Sequence, residues 1–209
     1  MSEPPNLVEE NGLASRGYRF IAGIDEAGRG ALAGPVVAAA VILPQNADFP
    51  RLKSVRDSKE ISPTKRNFLF GLIEEEAMAV SIGVIASKII DSIGILNATK
   101  NAMRTAVEQL TCFPDFLLID ALILPQLHIP QKGIIRGDKS CLSIACASII
   151  AKVTRDRIML DLDRLHPGYG LANHKGYGTK HHFSRLHQQG PSPIHRYSFA
   201  PVREAAPRI

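Results

Sequence analysis

The sequence predicts an α/β domain. Short β-branched and aromatic runs alternate with segments whose apolar residues recur at helical spacing, and no internal repeat or low-complexity tract interrupts them. The 209 residues suffice for one sizeable core, and 45% hydrophobic with 22% charged residues excludes wholesale disorder.

The elements follow in chain order. Residues 1–15 offer little to bury and are expected as a flexible tail ahead of a single domain over residues 16–209. Tyr18 to Ile24 reads as a strand ending at Asp25-Glu26, and Val36 to Leu43 as a second buried strand closed by Pro44. Ser62-Pro63 starts a helix, Ser as N-cap and Pro in the first turn, followed by Leu69, Leu72, Ile73 and Ala77 on one face. Val80 to Ile85 is a third strand, Asn97 to Leu110 a helix, Phe116 to Ile119 a fourth strand, and Ile134-Ile135 the last. Ser143 to Leu165 is the longest helix, stopped by His166-Pro167-Gly168; its first turns are small (Ala145, Cys146, Ala147, Ser148, Ala151), which suits close packing on a sheet. The remainder, from about residue 166, reads as a basic helical extension with a short helix near Lys180 to Gln189.

Charge is unevenly spread. Residues 151–209 carry 10 Lys and Arg against 4 Asp and Glu, with six of the seven histidines, whereas residues 1–150 carry 15 against 16. A basic final third suits a polyanion. The longest apolar run, Val36 to Leu43, is far short of the ~20 residues of a membrane span. The acidic N-terminus does not read as a signal peptide, and three cysteines without a CxxC pair form neither a disulfide framework nor a zinc cage. A reduced, soluble, cytoplasmic protein is expected, with no membrane partner.

Three apolar segments end at an acid: Asp25-Glu26, Asp120 and Asp138. Strand ends hold side chains rigidly beside exposed loops, and an acid there is costly unless neutralised. Four hard oxygen donors without Cys or His favour Mg²⁺ or Mn²⁺, and a pair of such ions suits phosphodiester cleavage. The turn Gly28-Arg29-Gly30-Ala31-Leu32-Ala33-Gly34 is not a dinucleotide fingerprint: its third glycine comes late, and Pro35 opens a strand instead of a helix. It does offer backbone groups that a ligand can approach.

The chain resembles the type 2 ribonucleases H. The resemblance runs from Phe20 to Val202 and is carried by Gly23-Ile24-Asp25-Glu26-Ala27-Gly28-Arg29-Gly30, Gly34-Pro35-Val36-Val37, Asp57-Ser58-Lys59, Ile119-Asp120-Ala121 and Gly137-Asp138-Lys139-Ser140. It continues through Ser143-Ile144-Ala145, Ala151 to Arg157, His174 to Thr179 and Gly190 to Arg196. The resemblance implies a ribonuclease H-like mixed five-stranded sheet flanked by helices, with a C-terminal helical extension. It places metal-binding catalytic carboxylates at Asp25, Glu26, Asp120 and Asp138, for two divalent ions, and recognition of the ribose 2′-hydroxyl at Gly28, Arg29 and Gly30. The resemblance also implies that Tyr177 packs on the sugar at the cut. The implied activity is hydrolysis of RNA in RNA–DNA hybrids and nicking 5′ of single ribonucleotides in duplex DNA, leaving 3′-hydroxyl and 5′-phosphate ends. Such an activity serves ribonucleotide removal and primer RNA removal. Ala31, where proline is usual, and Cys146, where alanine is usual, depart from the pattern.

Lys59, with Lys53 and Arg56, is expected to touch phosphates, as are Lys175 and Lys180 beside Tyr177. Arg155 and Arg157 are expected to pair with Asp156 or Asp161, or else to touch DNA, and His181-His182 to lie at the surface or near phosphates. A monomer is expected. Two other classes stay open: a metal-dependent nuclease or strand-transfer enzyme acting on DNA alone, and a nucleic-acid binding module without catalysis.

Overall fold

The computed structural model describes residues 4–45, 47–56, 58 and 60–206. In chain order the elements are α1 (Val8–Ala14), β1 (Ile21–Ala27), β2 (Val36–Ile42), a 3₁₀ turn (Pro50–Leu52), α2 (Pro63–Glu76), β3 (Ala79–Ile85), α3 (Ser87–Ile93), α4 (Ile95–Glu108), β4 (Phe116–Asp120) and β5 (Gln131–Ile134). The short α5 (Gly137–Ser140), the long α6 (Leu142–Leu165), α7 (Leu171–His174), α8 (Lys180–Gln189) and α9 (Ala200–Ala205) follow.

One five-stranded mixed sheet has the order β3-β2-β1-β4-β5. β1 to β3 form an antiparallel meander, and β4 and β5 join β1 in parallel. Alternation along the strands sorts side chains between two faces. Ala22, Ile24, Val36, Ala38 and Ala40 pack against Ala98, Ala102 and Met103 of α4. Ala27, Ala39 and Val41 face α2 and α6, where Leu69, Ile73, Ala145 and Ile149 complete the layer. α6 lies so close to β1 that a Cβ on Gly23 would overlap the Ser143 backbone. That contact explains the small residues of the helix's first turns.

The strand limits differ from those expected by sequence. β1 begins three residues later than expected and runs to Ala27, so Asp25 and Glu26 lie inside it, paired in register with Ala39 and Ala38. β5 ends at Ile134, and Ile135 is 84% exposed. This edge strand, with neither end residue buried, carries little of the apolar signal by which strands are found.

The expected flexible tail differs more. α1 docks on the start of α6, where the Glu10 carboxylate accepts the Ser143 N–H at 2.8 Å, and the Asn6 backbone bonds to Ser140 O and the Leu142 N–H at 3.1 and 2.9 Å. Glu9 pairs with Lys132 of β5 at 2.8 Å. At the other end, Tyr169, Leu171, Leu186 and Val202 of the C-terminal segment pack on Leu32, Ala33 and Met159. The basic extension is thereby fastened to the Gly-rich turn. Among the described residues no helix is long and apolar enough to cross a membrane.

Candidate active site

Parallel pairing of β1 with β4 sets Ile24 beside Ile119, so the next residues, Asp25 and Asp120, emerge side by side at the carboxyl ends of adjacent strands. Asp25 is buried on the α6 side of the sheet. Burial, then the charge of Glu26, then that of Asp120, raises its carboxyl well above the usual carboxylate range; the Ser148 hydroxyl and the Glu26 N–H, which donates to Oδ1 at 2.7 Å, oppose the rise. Asp120 Oδ1 accepts the N–H of Gly137 at 2.8 Å, which brings in Asp138, a buried residue of the next turn. Arg29 reaches back to Glu26 with an Nη1–Oε1 distance of 3.2 Å. Three separate elements thus gather Asp25, Glu26, Asp120 and Asp138 at one end of the sheet.

This donor set fits a hard divalent cation. All four groups are carboxylates, and a cation would relieve the mutual repulsion felt by Asp25. Among the described residues no three His, Cys, Asp or Glu side chains close tightly enough to cage an ion unaided. An ion that keeps several waters and completes its shell with substrate phosphate suits such an open arrangement.

A cleft of about 400 Å³ opens beside Glu26, lined by Gly28, Arg29, Gly30, Lys152 and Tyr177. Its floor includes a buried hydroxyl pair, Ser58 Oγ and Ser148 Oγ, 3.0 Å apart. Gly28 has φ +95°, and a Cβ there would run into the Arg155 guanidinium. Nothing stands within 4 Å of the position a Cβ on Gly30 would take, so the backbone is open on that side.

Two buried arginines hold this turn. Arg155 donates from Nε to Pro35 O, from Nη2 to Ala33 O and from Nη1 to Lys175 O, at 2.9, 3.1 and 3.0 Å. Arg196 donates from Nη1 to Arg29 O, from Nε to Gly34 O and from Nη2 to Pro35 O, at 2.9, 3.1 and 3.1 Å. Burial, then the charge of Arg155, pulls the Arg196 guanidinium down to about 9. Arg155 therefore makes neither the acid pair nor the DNA contact expected of it: its position on α6 points inward, into carbonyls. Arg157 donates to Asn67 Oδ1 at 3.2 Å and lies over Phe70, while Asp156 pairs with Lys152 at 2.7 Å.

Tyr177 closes the far wall, its ring flanked by Arg155 and Lys152 cations at 5.3 and 5.7 Å from the centroid. Lys175 does not share this cleft; it lines a neighbouring one of about 360 Å³ with Arg66, Arg157 and His174, and its ammonium donates to the Ala172 carbonyl. Lys59 lies outside the described residues. Arg56 folds onto its own loop, donating to Lys53 O and Val55 O at 2.8 and 2.7 Å. Sequence reasoning passed over Lys152, which lines both clefts; its i,i+4 pairing with Asp156 makes it look like an ordinary helix-surface cation. Of the adjacent histidines, His181 is exposed as expected but His182 is fully buried. Adjacent positions lie about 100° apart around α8, so one ring turns to solvent and the next to the core, both beside His174.

The sheet order, with its antiparallel meander joined to parallel strands and helices on both faces, defines a ribonuclease H-type nuclease fold. The ribonuclease H2 from Pyrococcus horikoshii OT3 shares it at a TM-score of 0.75 and 25% identity, over 88% of this chain and 96% of that one. Bst-RNase HIII in complex with Mn²⁺ shares the fold at 0.64 and 18% identity, over 90% of this chain and 69% of that one. The family model described as Ribonuclease HII matches residues 22–202. Curated proteins named Ribonuclease HII are 54% identical in Dehalococcoides mccartyi strain BAV1, over 95% of this chain and 94% of the relative, and 56% identical in Geobacter sulfurreducens, over 93% and 88%. The chain belongs to the ribonuclease HII family. It is an endonuclease hydrolysing RNA in RNA–DNA hybrids.

Proposed function

We propose that the enzyme also nicks duplex DNA on the 5′ side of single embedded ribonucleotides, leaving 3′-hydroxyl and 5′-phosphate ends. The observation that carries this reading is the adjacency of the strand-end carboxylates and the cleft between Gly28–Gly30 and Tyr177. Asp25, Glu26, Asp120 and Asp138 would hold two divalent ions, Mg²⁺ or Mn²⁺. Bound there, the ions supply activation of the attacking water and stabilisation of the departing 3′ oxygen. The Ser148 hydroxyl and the Gly137 N–H hold Asp25 and Asp120 in place for that task.

Selection of the sugar falls to the chain's own groups. The open backbone at Gly30 admits a ribose edge, Arg29 and Gly28 shape the turn, and Tyr177 packs against the sugar face. Only ribose offers a 2′-hydroxyl that both donates and accepts. Lys175, in the cleft beyond Tyr177, and Lys59 would meet phosphates. The basic C-terminal third supplies affinity that is blind to sequence and weakened by salt. The enzyme acts as a cytoplasmic monomer in ribonucleotide and primer removal.

The test uses a 5′-labelled DNA duplex containing one ribonucleotide beside an all-DNA duplex, each with Mg²⁺, with Mn²⁺ and with a chelator. A single metal-dependent cut 5′ of the ribose, absent from the all-DNA duplex, is expected. Asp25→Asn is expected to abolish that cut while duplex binding persists. Equal cutting of both duplexes would overturn sugar selection, and binding without turnover would overturn nicking at single ribonucleotides and confine the activity to RNA–DNA hybrids.

A further inference from the structure

Behind Tyr177 runs a buried chain of histidines that the catalytic reading does not use. The Tyr177 carbonyl accepts a hydrogen bond from His182 Nδ1 at 3.0 Å. A carbonyl cannot donate, so Nδ1 carries the proton and His182 Nε2 is an acceptor. Its partner is His195 Nε2, 3.0 Å away, which must then be protonated. His195 Nδ1 in turn accepts the backbone N–H of Ser192 at 3.0 Å and the Ser192 hydroxyl at 2.9 Å. Every proton in the chain therefore has one direction, from Ser192 through His195 and His182 to Tyr177. His174 stacks on His182 with ring centroids 4.4 Å apart, donates to Tyr169 O and accepts the Gly176 N–H. It also accepts the Tyr177 N–H on its carbonyl at 3.0 Å. His182 and His195 are fully buried, and an extra proton on either would set two N–H groups against each other.

The far end of the chain meets the Gly-rich turn. The 194–196 segment is bonded to it through Gly34 N–H to Ile194 O at 2.9 Å and Arg196 N–H to Leu32 O at 2.8 Å. The Arg196 side chain then grips Arg29 O. One short segment thus holds both walls of the cleft: Gly28–Gly30 through Arg196, and Tyr177 through His195 and His182.

We propose that His182 and His195 are positioning residues that fix Tyr177 relative to the Gly28–Gly30 backbone and so set the efficiency with which a ribose-containing junction is cut. The proposal rests on the reading that this cleft selects the ribose. Neither imidazole reaches the cleft, so both act through Tyr177.

The experiment measures kcat and KM on the single-ribonucleotide duplex for His182→Asn, His195→Gln, His195→Phe, Tyr177→Ala and the double variants with Tyr177→Ala, with thermal melts throughout. His182→Asn keeps a donor for the Tyr177 carbonyl but severs the link to His195. His195→Gln keeps an N–H facing His182, whereas His195→Phe fills the space without one. His182→Asn and His195→Phe are expected to lose about 10-fold or more in kcat, with KM little changed, as small misplacements do. His195→Gln is expected to stay within about 3-fold of the parent, the rescue that a donor at that position predicts. In the Tyr177→Ala background the histidine changes are expected to add nothing, because their target is gone. Folded His182→Asn with parental kcat, or losses that add to Tyr177→Ala, would overturn the proposal. Should His195→Phe fail to fold, His182→Asn and His195→Gln carry the same decision. A Tyr177→Ala variant that cuts like the parent would overturn the reading of the cleft instead.

Discussion

Gly28 and Gly30 are two residues apart in one motif, yet the structure asks different things of them. Gly28 is in the left-handed region, and a Cβ would strike an Arg155 side chain that three carbonyl bonds prevent from yielding. Gly28→Ala is expected to destabilise the fold by about 1–3 kcal/mol, from backbone strain and the clash together. Gly30→Ala meets open space and is expected to stay within about 0.5 kcal/mol of the parent. If the cleft selects the ribose as proposed, its methyl group would stand in the way of the sugar, so cleavage of the embedded ribonucleotide is expected to fall while the melting temperature holds. Melts and initial rates on both variants check the pair; parental cleavage by Gly30→Ala would remove its backbone from sugar recognition. The motif was legible as a string, and its supports were not. Ser148, Arg155 and Met159 mark the buried face of α6, a spacing that points position 155 inward. The residue type pointed outward, to an acid partner. What the guanidinium found was backbone carbonyls, two of them more than a hundred residues away and the third 20 residues on, which leave no trace in local sequence.

At the scale of elements, the buried strands and long helices could be read because each carries its own periodicity. Val36 to Ile42 is buried at every position, and the N-cap of α2 is Ser62, whose hydroxyl accepts the Lys65 N–H at 3.3 Å. The ends of β1 were misplaced because pairing with β2 and β4, and not local preference, decides them. That shift leaves the catalytic reading intact, since it moves Asp25 and Glu26 from just after the strand to its last turn of pleat. α1 was missed for a different reason. Its role is to cap another helix: the Glu10 carboxylate occupies the N-terminus of α6, accepting the Ser143 N–H at 2.8 Å and the Cys141 thiol at 3.1 Å. A cap delivered from 133 residues away has no motif. Glu10→Ala is expected to cost about 1–2 kcal/mol, the range for losing a helix cap together with a favourable charge at the helix start. Glu10→Gln retains an acceptor and is expected to fall between Ala and the parent. Chemical denaturation ranks the three; a Glu10→Ala protein as stable as the parent would show that α1 only rests on α6.

Across the whole molecule, the histidines that crowd the basic final third make folding itself sensitive to acid. Burial first, then neighbouring imidazoles, pulls His182 and His195 down to about 4, against an ordinary value near 6.5 in the unfolded chain. Between about pH 6.5 and 4 the unfolded chain therefore binds protons that the native state refuses, so stability falls as pH falls through that window. Above it both forms are neutral and this sensitivity vanishes; below about 4 the penalty is complete. Asp25 has the opposite sign, because its raised carboxyl is relieved by protonation as the pH drops. Each proton taken up contributes a slope of at most about 1.4 kcal/mol per pH unit. His174 is lowered too, by burial first, and His195→Gln removes one of these uptake sites without adding another. Its unfolding free energy, measured in urea at pH 7, 6 and 5 with chelator present, is expected to fall with a slope shallower than the parent's by about 1 kcal/mol per pH unit. The comparison of slopes is independent of any constant loss of stability from the substitution, and Asp25 contributes equally to both proteins. An unchanged slope would mean that the buried imidazoles take up their protons without unfolding the segment that joins Tyr177 to the Gly-rich turn.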